Sequence, residues 1–147
     1  MRENKRMFWI NLAIVLVLVA VVTVRSAAGG GPDVDFILDE ESISLSGPGE
    51  FTVSVEFKEL TSVEFRDSLD LGVCINGGSE GGYTYGIWEN EEFGEYTLHV
   101  LTKVEAYMIL TEADGDIVVL NLENARTTEA FSQNLIGHLQ EKGYFPS

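Results

Sequence analysis

The chain has 147 residues, and its 24 acidic against nine basic side chains give a net charge of −15. This charge is unevenly spread, because residues 1–25 hold four basic residues and one acidic residue, whereas residues 26–147 hold five basic and 23 acidic residues. Such an acidic body excludes binding to nucleic acid and to anionic lipid head groups, since both need clustered Lys and Arg. Cys74 is the single cysteine, which excludes an intrachain disulfide and a cysteine-rich zinc site.

A hydrophobic segment, residues 8–24, begins the chain after three basic residues, Arg2, Lys5 and Arg6. As a helix it would span roughly 25 Å, slightly less than the hydrocarbon core of a bilayer. The basic residues favour a cytoplasmic N-terminus and a body on the far side of the membrane. Residues 1–25 are therefore predicted to be a cytoplasmic stub and a single-pass transmembrane signal anchor of the cell membrane.

Two alternatives for this segment stay open. Residues 26–28, Ser-Ala-Ala, could form a signal-peptide cleavage site after Ala28. The apolar run is longer than that of most signal peptides, and Arg25 stands between it and the site, so an uncleaved anchor is favoured. The other alternative is an inverted anchor with a cytoplasmic body.

A Gly-rich tether, residues 26–32, follows the hydrophobic segment and leads to one domain, residues 33–147.

Alternating apolar and polar residues dominate this domain and predict a run of about seven strands. Residues 105–111 are apolar on both faces, which is typical of a central strand. The extended segments are residues 34–38, 43–45, 51–57, 60–65, 83–88, 96–101, 105–111 and 117–120.

Three connections between these segments carry turn signals. The glycine-rich residues 76–82 are predicted to form a mobile hairpin loop; a phosphate-binding loop would need a Lys, and this segment holds Glu80 instead. Residues 89–92 are predicted to form a polar turn. Asp114-Gly115 predicts a type I′ hairpin turn.

The last segment changes to helical periodicity. Phe131, Leu135 and Leu139 recur at helical spacing after the candidate N-cap pair 127–128, and Gly143 stands where the helix should end. We predict an amphipathic helix of about 15 residues that caps the open end of the sheet.

Residues 86–100, Gly-Ile-Trp-Glu-Asn-Glu-Glu-Phe-Gly-Glu-Tyr-Thr-Leu-His-Val, resemble the central signature of bacterial pleckstrin-homology (PH) domains. Residues 63–67, Val-Glu-Phe-Arg-Asp, are similar to a segment that ends paired strands in that family. The resemblance covers about residues 34–143. It implies a mainly β, PH-like fold, a bent seven-stranded partial barrel capped by one C-terminal helix, preceded here by the transmembrane helix.

The resemblance carries over no catalytic residue, and phosphoinositide binding is not expected. Eukaryotic relatives bind phosphates through basic residues of an early loop, whereas residues 47–50 of this chain contain none. No cofactor or metal site is predicted either, because His99 and His138 lack the spacing of a metal pair. The many carboxylates are interpreted as a solvated acidic face.

One set of residues is a candidate site for a protein partner, with core packing as the alternative interpretation. It is the aromatic patch Tyr83, Tyr85, Trp88 and Phe93.

The sequence thus predicts a membrane-anchored, non-enzymatic PH-like domain that binds or assembles proteins through a sheet edge or the open barrel end. The alternative function is a carrier of small molecules or lipids, or an envelope hydrolase, that uses the barrel mouth. A third interpretation treats the acidity as an adaptation to high salt.

Overall fold

The structure is a computed structural model that describes residues 35–47 and 51–146. The predicted anchor and the tether lie outside these residues, as does most of the early loop at 47–50. Among the described residues, no helix is long and apolar enough to span a membrane.

The described chain is mainly β, with nine strands in two sheets and a C-terminal helix. A short 3-10 helix, Phe57–Glu59, links the two sheets. The elements are β1 (Asp35–Leu38), β2 (Ser42–Ser46), β3 (Thr52–Glu56), β4 (Leu60–Arg66), β5 (Val73–Glu80), β6 (Tyr83–Asn90), β7 (Gly94–Leu101), β8 (Tyr107–Glu112), β9 (Ile117–Leu120) and α1 (Ala125–Glu141).

The sheet topology differs from the predicted bent, seven-stranded partial barrel. Strands β1, β2 and β3 form an antiparallel sheet, and six strands form a second sheet in the order β4-β8-β9-β7-β6-β5. Strand β9 lies between β7 and β8, and it is parallel to β7 and antiparallel to β8. Neither strand order closes into a barrel. The strand that the prediction lacked is β5.

The central strands of the larger sheet are apolar on both faces, as predicted for residues 105–111. On β9, Val118 and Leu120 face one way and Val119 faces the other, and all three are buried. One face packs against the three-stranded sheet and α1, through a cluster that includes Phe36, Ile43, Leu45, Val55, Phe57, Met108, Leu110, Phe131, Leu135 and Leu139. The opposite face carries a second buried cluster: Tyr96, Leu98, Val100, Tyr107, Ile109 and Val119.

Helix α1 buries the predicted stripe but begins earlier than predicted. Asn124 is the N-cap, and its side-chain oxygen accepts a hydrogen bond of 2.8 Å from the backbone N–H of Thr127. The prediction of a cap at Thr127 or Thr128 was wrong because Thr128 points inward. Its buried hydroxyl donates to the carbonyl of Asn124 and accepts from the N–H of Leu122.

Two predicted turns are also corrected. The β8–β9 loop has three residues and not two, because the N–H of Gly115 donates to the carbonyl of Glu112 and the N–H of Glu112 donates to that of Asp116. A left-handed Gly115, with φ of 95°, at the third position is typical of such loops. The turn predicted at 89–92 lies at 91–93, because β6 continues to Asn90.

Residues 76–82 are not a loop throughout, since β5 continues to Glu80 and the turn is confined to Gly81 and Gly82. Gly77 on β5 lies opposite Gly86 on β6, with φ of 145° and 115°. A Cβ on either residue would lie 2.2 Å from a carbonyl oxygen of the other strand. The facing glycines therefore permit a close approach of the two backbones that no other residue type allows.

We expect Gly77→Ala to lower the free energy of unfolding by at least about 2 kcal/mol, because the methyl group enters the backbone of β6 at an unfavourable φ. Gly78→Ala is the matched control, since an added Cβ there has no atom within 4 Å. It should change stability by less than about 0.5 kcal/mol. Thermal and urea unfolding followed by circular dichroism compare the two variants, and equal stabilities would contradict the close approach.

Candidate functional site

The predicted aromatic patch is divided between the two faces of the larger sheet. Tyr83 and Tyr85 point to the face that carries α1, whereas Trp88 points to the opposite face and Phe93 lies in the β6–β7 turn. All four are half-buried. The four residues therefore do not form one surface.

Tyr83 and Tyr85 belong to a cluster around His99 of β7. Tyr85 lies opposite His99 in the strand register, and the Tyr83 ring is 6.0 Å from the imidazole ring. The segment that follows β2 covers this cluster: a Cβ on Gly47 would lie 2.5 Å from Cε1 of His99, and the Phe51 ring is 6.4 Å from that of Tyr85. Gly47 thus brings the end of the smaller sheet directly onto His99.

His99 is 5% exposed, and its Nε2 atom has no hydrogen-bond partner among residues 35–47 and 51–146. Burial lowers the pKa of His99 to about 4, because the charged imidazolium would lose its hydration without gaining a partner. His99 is therefore neutral at pH 7. It packs as an apolar ring and provides no proton acceptor accessible to a substrate.

Trp88 and Phe93 help to cover the second cluster. They pack against it together with Leu69 and Leu71 of the β4–β5 connection. The indole N–H of Trp88 donates a 3.0 Å hydrogen bond to the carbonyl of Tyr85, so the side chain lies back along its own strand. This half of the predicted patch fits the alternative interpretation, core packing.

Two side chains hold the β4–β5 connection over that face. The hydroxyl of Tyr96 donates a 2.7 Å hydrogen bond to the carbonyl of Leu71, and the side-chain amide of Asn90 donates one of 2.8 Å to the carbonyl of Asp70. Burial raises the pKa of Tyr96 to about 12, which keeps its hydroxyl a donor. The sequence showed neither contact, because the residues are 20 and 25 positions apart.

Arg66 ties the end of β4 to the β6–β7 turn. It forms ion pairs with Glu64 and Glu92, and its guanidinium carbon lies 5.7 Å from the centre of the Phe93 ring. These contacts raise the pKa of Arg66 and lower that of Glu92. Because both carboxylates occupy this arginine, it serves the structure and is not available to an anionic ligand.

The most exposed apolar surface of the described chain lies on β5, the edge strand that sequence reasoning missed. Val73 is 60% and Ile75 is 50% exposed, and Cys74 between them is exposed as well. Ile75 forms a bulge, since Cys74 lies opposite Trp88 and Asn76 lies opposite Ile87. Three consecutive apolar residues, 73–75, were the signal that could have revealed this strand.

Strand β5 pairs with β6 and with no other described strand. Its outer backbone N–H and C=O groups thus face away from the sheet, which is the arrangement that accepts an added strand. Proteins protect such edges with Lys or Pro, and β5 contains neither. The bulge at Ile75 is the protective feature present.

Protein-family models, curated proteins and solved structures give no match to this chain. The relationship to bacterial PH domains therefore stays a prediction.

The charge around the β5 edge has one sign. Residues 67–102, which include β5, β6 and β7, contain seven acidic residues and no Lys or Arg. Glu80 lies at one end of β5, and Glu89 lies opposite Val73 at the other end. The edge is therefore apolar over residues 73–75 and has a carboxylate near each end of the strand.

Three carboxylates of the β8–β9 hairpin also lie together. The oxygens of Glu112, Asp114 and Asp116 are within 4.8 Å of one another. Burial raises the pKa of Glu112, and the two aspartates add to the shift. The group could receive a divalent cation, but exposed carboxylates at a turn are common, and no second feature points to a metal.

The smaller sheet carries a polar cavity of about 360 Å³ on its outer side. Its carboxylates are already engaged in part, since Asp39 accepts hydrogen bonds from Ser42 and Glu56 pairs with Lys58. The residues that line it are Asp39, Glu41, Ser42, Ser54, Glu56, Lys58 and Tyr144.

We expect acid to destabilise the folded chain partly through His99. Its pKa rises from about 4 in the folded state to about 6.5 in the unfolded state, so protons bind the unfolded state preferentially between these values. Full stability is present above pH 6.5 and falls by up to about 3 kcal/mol as the pH approaches 4. The variant His99→Gln keeps all carboxylates and should lose this part of the pH dependence in urea unfolding. Identical pH profiles for both proteins would contradict the buried neutral imidazole.

We expect Tyr96→Phe to lower the free energy of unfolding by about 1 kcal/mol, because the buried carbonyl of Leu71 loses its donor. Amide hydrogen exchange in residues 67–72 should accelerate at the same time. Tyr107→Phe is the matched control, since the hydroxyl of Tyr107 makes no hydrogen bond to a described residue, and this variant should keep the exchange unchanged. Equal exchange in both variants would contradict the role of the Tyr96 hydroxyl.

Proposed function

We propose that this chain is a membrane-anchored, non-enzymatic module that binds or assembles proteins, and that β5 is its docking strand. The observation that carries the proposal is the edge of the six-stranded sheet at β5, which pairs with no second described strand and has Val73 and Ile75 exposed. An extended segment of a partner would add beside β5 and satisfy its outer backbone groups.

The chemistry of the described residues supports a non-enzymatic role. His99 Nε2 has no partner in the described part of the chain, and His138 Nε2 lies 3.5 Å from the carbonyl of Glu40. Neither histidine of the described chain is thus hydrogen-bonded to a nucleophile, as base-assisted catalysis by Ser or Cys requires. The exposed Cys74 lies on β5, within residues 67–102, which contain no Lys or Arg.

The anchor and the PH-like relationship are parts of this proposal. The anchor rests on the apolar residues 8–24 and the basic residues before them, which favour an extracytoplasmic body. The PH-like relationship rests on the motif in residues 86–100 and on a C-terminal helix that packs against a sheet. Nine strands and the parallel β7–β9 pair are differences from the seven-stranded plan.

No feature of the described residues favours the carrier or hydrolase alternative. Large side chains, among them Phe57, Phe131 and Leu120, are fully buried between the sheets and the helix. The cavity at the surface of the smaller sheet is lined by polar and charged side chains, whereas sites for small molecules and lipids are mostly apolar.

A photoreactive amino acid introduced at Ile75 in the full chain tests the proposal in the native membrane. We expect a discrete crosslinked protein from this position, because a docked strand would contact the exposed side chain. Ile37 is the matched control: it is 58% exposed on β1, an edge strand of the smaller sheet. Equal crosslinking from both positions, or none from position 75, would contradict the docking strand.

The same full chain should show no saturable binding to phosphoinositide-containing vesicles at physiological salt, once binding to neutral vesicles is subtracted. The acidic body repels such head groups. Saturable binding would contradict a role confined to protein partners.

A further inference from the structure

The length, side chains and charge of the β5 edge indicate the chemistry of its partner. This inference rests on the proposed function. We infer that the docking segment is an extended, basic stretch of another protein, with β-branched or aromatic residues at its centre and Lys or Arg at both ends.

The length of the segment follows from the backbone. Strand β5 has eight residues, which span roughly 26 Å. A partner of about the same length satisfies the outer N–H and C=O groups along the edge. The bulge at Ile75 leaves that residue without a counterpart on β6, so the regular ladder available to a partner is strongest over residues 76–80.

The centre of the segment follows from the side chains of β5. Val73 and Ile75 offer apolar contact at one half of the strand. At the other half, an added Cβ on Gly78 meets no atom within 4 Å. This open space suits a large side chain of the partner strand packed over Gly78, because the glycine itself has no side chain to fill it.

The ends of the segment follow from charge. Glu80 lies at the turn end of β5, and Glu89 lies opposite Val73 and also opposite Glu95. A carboxylate therefore lies near each end of β5, and residues 67–102 contain no Lys or Arg to neutralise it. Opposite charges at such positions favour Lys or Arg on an added strand.

A second copy of the same strand is the competing occupant, and charge disfavours it. Pairing two β5 edges would bring two uncompensated acidic surfaces together, which costs free energy and slows association. This alternative can be detected from the oligomeric state, since paired edges would make the chain a dimer.

The test uses the full chain in nanodiscs and three fluorescent peptides that share one centre, Thr-Val-Thr-Ile-Thr-Val. The peptides differ only in the residue added at each end, which is Arg in the first peptide, Gln in the second and Glu in the third. In anisotropy titrations the Arg peptide should bind at least about tenfold more tightly than the Gln peptide, and the Glu peptide most weakly. Raising the salt from 50 mM to about 0.5 M should reduce the difference between the Arg and Gln peptides, because salt screens exposed charges.

Two variants separate strand docking from general attraction between opposite charges. Ile75→Asp adds a negative charge and should nevertheless weaken the Arg peptide at least about tenfold, since it removes the apolar contact. Ile37→Asp adds the same charge on β1 and should leave binding unchanged. Stronger binding to Ile75→Asp would overturn docking at β5.

The outcomes distinguish the inference from the proposed function. Equal binding of the Arg and Gln peptides, both lost in Ile75→Asp, would overturn the basic partner and leave the docking strand intact. No binding of any peptide, together with no crosslinking from position 75, would overturn both. A dimer of the full chain that forms without peptide and prevents the peptides from binding would assign the edge to a second copy.

Discussion

The fold depends on one constraint: the central strands β8 and β9 are apolar on both faces and must be covered on both sides. Helix α1 and the three-stranded sheet cover one face, where Phe131, Leu135 and Leu139 are buried. On the other face, the β4–β5 connection contributes Leu69 and Leu71. Because this connection has no regular structure, Tyr96 and Asn90 hold its backbone by hydrogen bonds. Burial of these faces supplies the main stabilisation, since apolar surface removed from water is the dominant favourable term in folding.

The surface available to a partner lies at the edge of the larger sheet. The central strands are buried on both faces and paired on both sides. The edge strand β5, in contrast, has two exposed apolar side chains, and its outer backbone groups pair with no other described strand. The facing glycines Gly77 and Gly86 allow β5 to lie close against β6, to which it is hydrogen-bonded along its length. An edge held in this way costs a partner strand little ordering of the receptor, which is a condition for useful affinity.

The sequence predicted the parts of the fold that local patterns determine. The predicted fold had about seven strands, and the extended segments read from the sequence overlap eight of the nine observed ones. The spacing of Phe131, Leu135 and Leu139 located the helix and its buried stripe. It missed β5 because glycines are rare in strands, so Gly77 and Gly78 indicated a loop. It grouped Tyr83, Tyr85, Trp88 and Phe93 as one patch, although strand parity places them on different faces. The parallel β7–β9 pair and the isolation of His99 depend on contacts between distant segments, which no local pattern records.

Residue-resolved amide hydrogen exchange on the full chain, with and without the Arg-ended peptide, tests the docking strand most directly. Without peptide, the amides of residues 73–80 that face away from β6 should exchange much faster than those of β7 and β9. With peptide, exchange should slow over residues 76–80 and stay unchanged over β1 and the polar cavity of the smaller sheet. Protection that appears elsewhere, or outer amides of β5 that are already protected without peptide, would contradict a free edge that receives a partner strand.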